Sequence, residues 1–325
     1  MQKVRVVIIG SGPAGLTAGL YTARAQLSTV IVTGKLLGGQ ISTTHEVENF
    51  PGFPDGTTGP DLVEKMRQQA EKFGAQFLYE SVTAVDFEHG SPFRVTTENE
   101  EYLADAVIVT IGANPRKLNV PGEAEYTGRG VSYCATCDGY FFRGKEIVVV
   151  GGGDSALQEG IFLTKFASHV NIIHRRDSLR ASTALQTRAF DNPKISFTWD
   201  SVVEEVLANE HGVVSGVRLR NLKTGEKTLH PTEGVFIFIG YDPNSAVFGS
   251  QLDTDASGYV LINDRHGTNV EGVFAAGEIH DSVFRQAITA AGDGCKAALS
   301  AINWLGARED RLQPLDETTP AAAGV

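Results

Sequence analysis

Val4-Arg5-Val6-Val7-Ile8-Ile9-Gly10-Ser11-Gly12-Pro13-Ala14-Gly15 decides the fold. Its first six residues are mostly apolar and β-branched, the pattern of a strand buried on both faces of a parallel sheet. Gly10, Gly12 and Gly15 then follow a G-x-G-x-x-G spacing, and Leu16, Ala18, Leu20 and Tyr21 carry a helical pattern. A second strand, Thr29-Val30-Ile31-Val32, comes next. Strand, glycine turn, helix and strand within about thirty residues form the opening of a dinucleotide-binding fold. The glycines let a pyrophosphate approach backbone N–H groups at a helix N-terminus, so Gly10, Gly12, Pro13, Ala14 and Gly15 are candidate cofactor contacts. The second strand ends in Thr33 rather than an acidic residue, so a ribose contact there has to be made differently.

The pattern returns in mid-chain. Glu146-Ile147-Val148-Val149-Val150 leads into Gly151-Gly152-Gly153-Asp154-Ser155-Ala156, a helix to about Phe166, and the strand Val170-Asn171-Ile172-Ile173. His174-Arg175-Arg176-Asp177 follows, with Arg180 behind. An acidic residue at that strand end would accept from a free ribose 2′-hydroxyl, whereas arginines suit a 2′-phosphate, because a planar guanidinium pairs with phosphate oxygens. The arrangement points to NADPH over a merely solvated basic face. Two such folds imply two dinucleotides, and FAD with a nicotinamide cofactor is the usual pair where electrons are handed on.

Between the two folds lies Cys134-Ala135-Thr136-Cys137-Asp138-Gly139. A zinc site needs about four ligands, and no second cysteine pair or matching histidine spacing exists, so no metal is expected. A reversible disulfide is the better reading, since C-x-x-C spacing lowers a thiol pKa and permits exchange. Asp138 is open to two roles, a turn residue or a proton donor to a leaving thiolate. Cys295, in a stretch of small residues, is expected to be a buried free thiol. Trp199 and Trp304 read as packing or interface residues. His45, His89, His211, His230 and His266 show no clustered spacing.

Composition sets the outer bounds. The 325 residues carry 28 Lys+Arg against 39 Asp+Glu, a net charge of −11, with 42% hydrophobic residues. That is enough apolar material for a core and room for about two domains. The acidic balance argues against nucleic acid or an anionic membrane surface as partner. No run of about 18 apolar residues exists to span a membrane. The start, MQKVRVVIIG, lacks the separate regions of a signal peptide, so a cytoplasmic location is expected.

Taken together, GSGPAG (10–15), GGQ (38–40), EVENFPGFP (46–54), CATCDG (134–139), GGGDSA (151–156), HRRD with Arg180, GVFAAGE (272–278) and RQA (285–287) make the chain resemble the low-molecular-weight thioredoxin reductases of bacterial and plant type from residue 3 to about 306. The resemblance implies an α/β fold with two Rossmann-like, three-layer nucleotide-binding domains. An FAD domain would be split over 1–114 and 243–307, and an NADPH domain carrying the C-x-x-C would be inserted as 115–242. Pro115 and Pro243 stand at the two crossovers, where linkers are common. Residues 308–325 read as a mobile tail.

Carried over by motif, the FAD contacts would fall on Gly10, Gly12, Pro13, Ala14, Gly15, Thr33, Gly39, Gln40, Asn49, Val82, Gly112, Gly277, Glu278, Arg285, Gln286 and Ala287. Those to NADPH would be Gly151, Gly153, Asp154, Ser155, His174, Arg175, Arg176 and Arg180. Cys134, Cys137 and Asp138 would be catalytic, with Cys137 next to the flavin and Cys134 attacking the disulfide of thioredoxin. Arg129, Gly130, Tyr140 and Phe141 sit where the family meets thioredoxin, although the two aromatics also fit core packing. A homodimer is implied. Three positions depart from the family pattern: Glu278 where aspartate is usual, Thr110-Ile111 in place of Ala-Thr, and Gln158 where a second glutamate is frequent beside Glu159.

One consequence follows from counting sulfurs. A single C-x-x-C has to meet both the flavin and a bulky protein substrate, each at near contact of about 3–3.5 Å. Rotation of the NADPH domain about the two crossovers is the simplest solution. The rival readings are a related reductase fed by another donor such as ferredoxin, a dithiol oxidase passing electrons to oxygen, and a non-catalytic flavin redox sensor. The arginine signature argues against the first two, and the intact dithiol with Asp138 argues against the third.

Overall fold

A computed structural model describes residues 1–44 and 46–312. The chain begins with β1 (Gln2–Ile9), α1 (Pro13–Arg24) and β2 (Thr29–Val32), the strand–helix–strand unit expected from the glycine motif. After α2 (Gly59–Lys72) come β3 (Gln76–Leu78), β4 (Val82–Asp86), β5 (Phe93–Thr97) and β6 (Glu101–Val109). These strands form one sheet in the order β3-β2-β1-β6-β5-β4. The pairs around β1 are parallel, and β4-β5-β6 is an antiparallel meander.

The chain then crosses through β7 (Ala113–Pro115) into a second unit: β8 (Val131–Ser132), α3 (Ala135–Asp138), β9 (Glu146–Val150), α4 (Asp154–Leu163), β10 (His169–Ile173), α5 (Thr183–Phe190), β11 (Ile195–Thr198), the antiparallel set β12 (Ser201–Ala208), β13 (Val214–Asn221) and β14 (Lys227–Pro231), and β15 (Gly234–Ile237). The five-stranded sheet β11-β10-β9-β15-β8 is parallel throughout. The chain leaves by β16 (Tyr241–Pro243). It returns to the first sheet as β17 (Val273–Ala275), parallel to the end of β6, and closes with α6 (Ala287–Leu312).

The core explains the layering. Val6, Val7, Ile8 and Ile9 are at most 1% exposed, because their alternate side chains are covered on both faces. On one face Val6 and Ile8 join Ala14 and Ala18 of α1 and Ala297, Ala298 and Ala301 of α6. On the other, Val7 and Ile9 join Phe93 and Val95 of the meander and Phe248 and Val260. Each such buried aliphatic contributes about 1.5–3 kcal/mol, which is why a strand with two charged residues, Lys3 and Arg5, still folds inside at its apolar end. The second unit repeats the plan, with Leu157, Leu163 and Phe236 on one face of its sheet and Val203, Val217 and Leu219 on the other.

The crossovers pair with each other. β7 runs antiparallel to β16, with Ala113 opposite Pro243 and Pro115 opposite Tyr241. Arg116 and Asp242 form an ion pair at 2.7 Å beside them, and Asn114 Nδ2 donates to Asn244 Oδ1 at 2.9 Å.

Three local expectations need correction. The helix after the second glycine turn ends at Leu163, not Phe166, because Thr164, Lys165 and Phe166 donate to carbonyls three residues back in a tightened final turn. Residues 308–312, assigned to the tail, continue α6; their sequence, Arg308-Glu309-Asp310-Arg311-Leu312, is free of glycine and proline and has nothing to stop a helix. From 313 onward the expected tail lies outside the described residues, as does His45. Cys295 is a free thiol but half-buried, beside Tyr21, whose hydroxyl it pushes above the usual phenol range. Among the described residues no helix is long and apolar enough to cross a membrane.

Candidate active site

The C-terminal ends of β1, β2 and β6 open onto a cleft of about 1860 Å³ that reaches into the second unit. Gly10 begins it with φ +112°; a side chain there would lie 2.5 Å from the Thr110 carbonyl oxygen, so only glycine fits the turn. Gly12 differs. A Cβ on Gly12 would find nothing closer than 4.0 Å and would project into open space at the start of α1. No side chain caps α1, whose first N–H groups face the cleft unpaired within the helix. The space that Gly12 leaves is thus free for a ligand to approach backbone amides, which fits a pyrophosphate. Gly153, the residue before α4, is equally open and equally uncapped.

Of the residues expected to meet FAD, Gly10, Gly12, Pro13, Ala14, Thr33, Gly39, Gln40 and Asn49 line this cleft, as do Val82, Gly112, Gly277, Glu278, Arg285, Gln286 and Ala287. Gly15 does not; it packs beneath the turn, against the Gly10 carbonyl. The loop before α6 is held open by Asp281, which accepts from the amides of Val283, Phe284 and Arg285 at 2.8–3.1 Å. Arg285 takes φ +50°, and its Nε is buried without a hydrogen-bond partner. An orphaned donor in a cleft edged by open glycines is what a bound acceptor-rich cofactor would satisfy. The residues therefore fit FAD.

The dithiol faces the same cleft. Cys134 and Cys137 form a disulfide with Cα atoms 5.3 Å apart, around the single turn of α3. Cys134 is half-buried and Cys137 exposed into the cleft. The Cys137 amide donates to Cys134 Sγ at 3.2 Å, an interaction that favours a thiolate there after reduction. Ser132 fixes the Cys134 backbone, its Oγ accepting from the Cys134 amide at 3.1 Å. Burial pushes the Asp138 carboxyl above its ordinary value, with a hydrogen bond from Ser132 partly opposing it. A carboxyl held toward its protonated form beside a dithiol suits the proton-donor role.

Contacts between the units converge on this point. Gln286 Nε2 donates to Thr136 Oγ1, inside the C-x-x-C, at 3.1 Å, and Gln286 Oε1 accepts from Asn49 at 3.3 Å. The Arg285 guanidinium lies 4.1 Å above the Tyr241 ring. Burial pushes Tyr241 up to about 12, and its hydroxyl donates to the Tyr133 carbonyl at 2.9 Å. Burial also raises Glu159, against the opposing charge of Arg285. Thr136, Tyr241 and Glu159 were absent from the candidate set; Tyr241 lies two residues before the crossover Pro243, but nothing in its spacing signalled a stacking role.

Glu278 is the departure that matters most here. Burial pushes its carboxyl up to about 7 despite the nearby Arg285, and Gln40 Nε2 donates to its Oε2 at 3.1 Å. Glu278→Asp should retain flavin on dialysis and Glu278→Ala should lose it faster, because a buried hydroxyl of the ligand loses its acceptor. Without flavin, the raised value means that the folded state holds a proton the unfolded state releases. This contribution is fully present below about pH 4.5 and is lost as pH rises through about 7. Comparing urea midpoints of the apoprotein and its Glu278→Gln variant across that range should show a wild-type decline that the variant lacks.

The second glycine turn lies at the edge of the cleft. Asp154 and Ser155 line it; Gly151, Gly153, His174, Arg175, Arg176 and Arg180 do not. His174 is buried, lowered below the usual imidazole range mainly by that burial, and its Nε2 has no partner. Arg180 is tied to the turn, its amide donating to the Gly152 carbonyl at 2.8 Å. Arg175, Arg176 and Arg180 are exposed, and none is in an ion pair among the described residues; Asp177 pairs with Lys223 instead, at 3.0 Å. Three free guanidinium groups beside an uncapped helix fit a 2′-phosphorylated dinucleotide. Replacing Arg175 and Arg176 by neutral residues should raise the KM for NADPH about 10- to 100-fold, the worth of one charge-assisted pairing of about 1.5–3 kcal/mol. The KM for NADH should change little. An unaltered NADPH KM would remove these residues from the coenzyme site.

Two dinucleotide folds around one cleft with a redox disulfide define a pyridine nucleotide–disulfide oxidoreductase, and residues 4–294 match the family described as pyridine nucleotide-disulphide oxidoreductase. The chain is 51% identical over 319 residues to a thioredoxin reductase of Streptomyces coelicolor, covering 97% of this chain and 98% of that one. A solved thioredoxin reductase of Streptococcus pyogenes superposes with a TM-score of 0.89 at 45% identity, over 94% of this chain and 99% of that chain. That of Lactococcus lactis, described as the FR conformation, gives 0.63 at 44% identity with coverage of 94% and 99%. The chain belongs to the thioredoxin reductase family. The family, fold class and enzyme class implied by its motifs hold, and with them the use of FAD and NADPH.

Proposed function

We propose that the chain carries electrons from NADPH, by way of FAD, to the Cys134–Cys137 disulfide and on to the disulfide of thioredoxin. The observation that carries this reading is the disulfide itself, lining one cleft with the residues that fit FAD. Bound FAD and NADPH supply the hydride and two-electron chemistry; the chain's own residues do the rest. Gly12 and the start of α1 would hold the pyrophosphate, and Glu278 and Arg285 would offer the cofactor an acceptor and a donor. Once the disulfide is reduced, the Cys134 thiolate attacks the partner disulfide, forming a mixed disulfide and freeing one partner thiolate. Cys137 then attacks Cys134 Sγ, which restores the internal disulfide and releases the second thiolate. Asp138 donates a proton to a leaving thiolate and recovers it from solvent.

The domain division belongs to the same proposal: 1–114 with 243–307 for FAD, 115–242 for NADPH. In the present arrangement the dithiol faces the FAD side while the arginine cluster lies outside the cleft. Cys134 is half-buried there, where a folded partner has poor access. Turning the second unit about the paired β7 and β16 would exchange the two. The different scores of two relatives with nearly equal identity, 0.89 and 0.63, support a family with more than one arrangement of the units. Tyr140 and Phe141 are 52% and 38% exposed, which favours a role in meeting thioredoxin over the core reading. A homodimer in the cytoplasm completes the proposal. An anaerobic assay of NADPH oxidation tests the partner: the holoenzyme should turn over with oxidised thioredoxin. Thioredoxin reduction driven by reduced ferredoxin but not by NADPH, or electron flow seen only once oxygen is admitted, would overturn this reading in favour of its rivals.

A further inference from the structure

Three side chains unrelated to the dithiol meet behind the Glu278 turn. His266 Nε2 lies 3.7 Å from Asp293 Oδ1, and His280 Nε2 lies 3.0 Å from Asp293 Oδ2. One ligand atom from each falls within 4.8 Å of the others. The side chains are only 7%, 16% and 13% exposed for His266, His280 and Asp293. They come from three segments: the turn before β17, the turn after Glu278, and α6. No motif spacing links them, which is why His266 shows no partner in sequence.

The geometry is prepared rather than incidental. His266 adopts φ +59°, a conformation in which few side chains are found, in a turn whose Asn263 Oδ1 accepts from the amides of Arg265 and Gly267 at 2.9 and 3.1 Å. Its Nδ1 is hydrogen-bonded to the Ala275 carbonyl at 3.1 Å. Nδ1 must then carry the proton, leaving the Nε2 lone pair aimed at Asp293, the outer-sphere arrangement of a metal-binding imidazole. The two rings stand edge to face with centroids 5.3 Å apart. The only cation at the cluster among the described residues is the Lys296 ammonium, 3.2 Å from Asp293 Oδ1 on a side chain 65% exposed and able to swing away.

We propose that His266, His280 and Asp293 bind a divalent first-row cation, with zinc as the best match to two imidazoles and one carboxylate. Zinc takes such nitrogen and oxygen donors at about 2.0–2.2 Å, and water can fill the fourth position. On binding, the Nε2 proton of His280 moves to Nδ1 through solvent, so the ring stays neutral and Nε2 becomes a ligand. Lys296 gives up Asp293. The bound ion would tie the turn following Glu278 to α6 and to the turn before β17.

The test uses untagged holoenzyme, stripped with a chelator and kept with Cys134–Cys137 oxidised so that the pair offers no thiolate. Titration calorimetry with zinc chloride should show one ion per chain, and the melting midpoint should rise with zinc. His280→Gln and Asp293→Asn should weaken binding about tenfold or more and remove the zinc-dependent rise. Lys296→Met, on an exposed side chain, should bind zinc at least as tightly as the wild type. Flavin content and the metal-free melting midpoint show that each variant is folded. Zinc binding unchanged in both ligand variants, or no binding by the wild type, would overturn the assignment and leave the three residues as a hydrogen-bonded brace.

Discussion

Cys134→Ser and Cys137→Ser should each abolish NADPH-driven reduction of thioredoxin, while both proteins still bind FAD and still bleach its colour with NADPH. The residues proposed to hold the two dinucleotides are others, and serine nearly matches cysteine in size, so both sites should persist. Exchange requires both sulfurs, because one thiol can open a partner disulfide but only a second can release it. The two variants should differ in what they trap. With Cys137 replaced, Cys134 remains to attack and should accumulate a mixed disulfide with thioredoxin. With Cys134 replaced, little covalent complex should form. Non-reducing electrophoresis with mass spectrometry distinguishes these outcomes, and the opposite pattern would exchange the roles of the two cysteines. Asp138→Asn should keep both sulfurs yet slow turnover by about 10²- to 10⁴-fold, the usual loss on removing a positioned acid. Unchanged turnover would leave Asp138 as a turn residue.

Much of this molecule is legible because its two glycine motifs are local. Strand, turn and helix lie next to one another in sequence, and β2 and β9 fall on the residues that periodicity assigns them. The meander β4-β5-β6 and the antiparallel set β12–β14 are less so, since their pairing joins strands whose composition is mixed and whose register depends on neighbours. The site shows the same division. Gly10 and Gly12 announce themselves by spacing. Arg285 stacked on Tyr241, Gln286 bonded to Thr136, and the two histidines on Asp293 all join distant segments, and no local pattern encodes such meetings. Glu278 could be noticed as one methylene longer than the family's aspartate, but the burial that lifts its carboxyl to about 7 comes from the surrounding fold.

The central claim is that one dithiol serves two places by rotation about the β7–β16 pair, and a lock tests it most directly. The two units can be joined by an engineered disulfide across a contact of the present arrangement, outside the redox pair and in a Cys295→Ser background that leaves no stray thiol. Here the Gln286–Thr136 contact holds the dithiol toward the FAD side, and Arg175, Arg176 and Arg180 stand clear of the cleft. Hydride transfer needs near contact of about 3–3.5 Å, and on the proposed reading a coenzyme anchored on those arginines meets it only after the second unit turns. Such hinge motions take microseconds to milliseconds and are lost when the halves are tied. Stopped-flow measurement of flavin bleaching by NADPH is the decisive observation. The account predicts that the verified locked enzyme fails to bleach, and that reducing the lock restores both bleaching and thioredoxin turnover. Bleaching and turnover at the unlocked rate in the locked enzyme would contradict it.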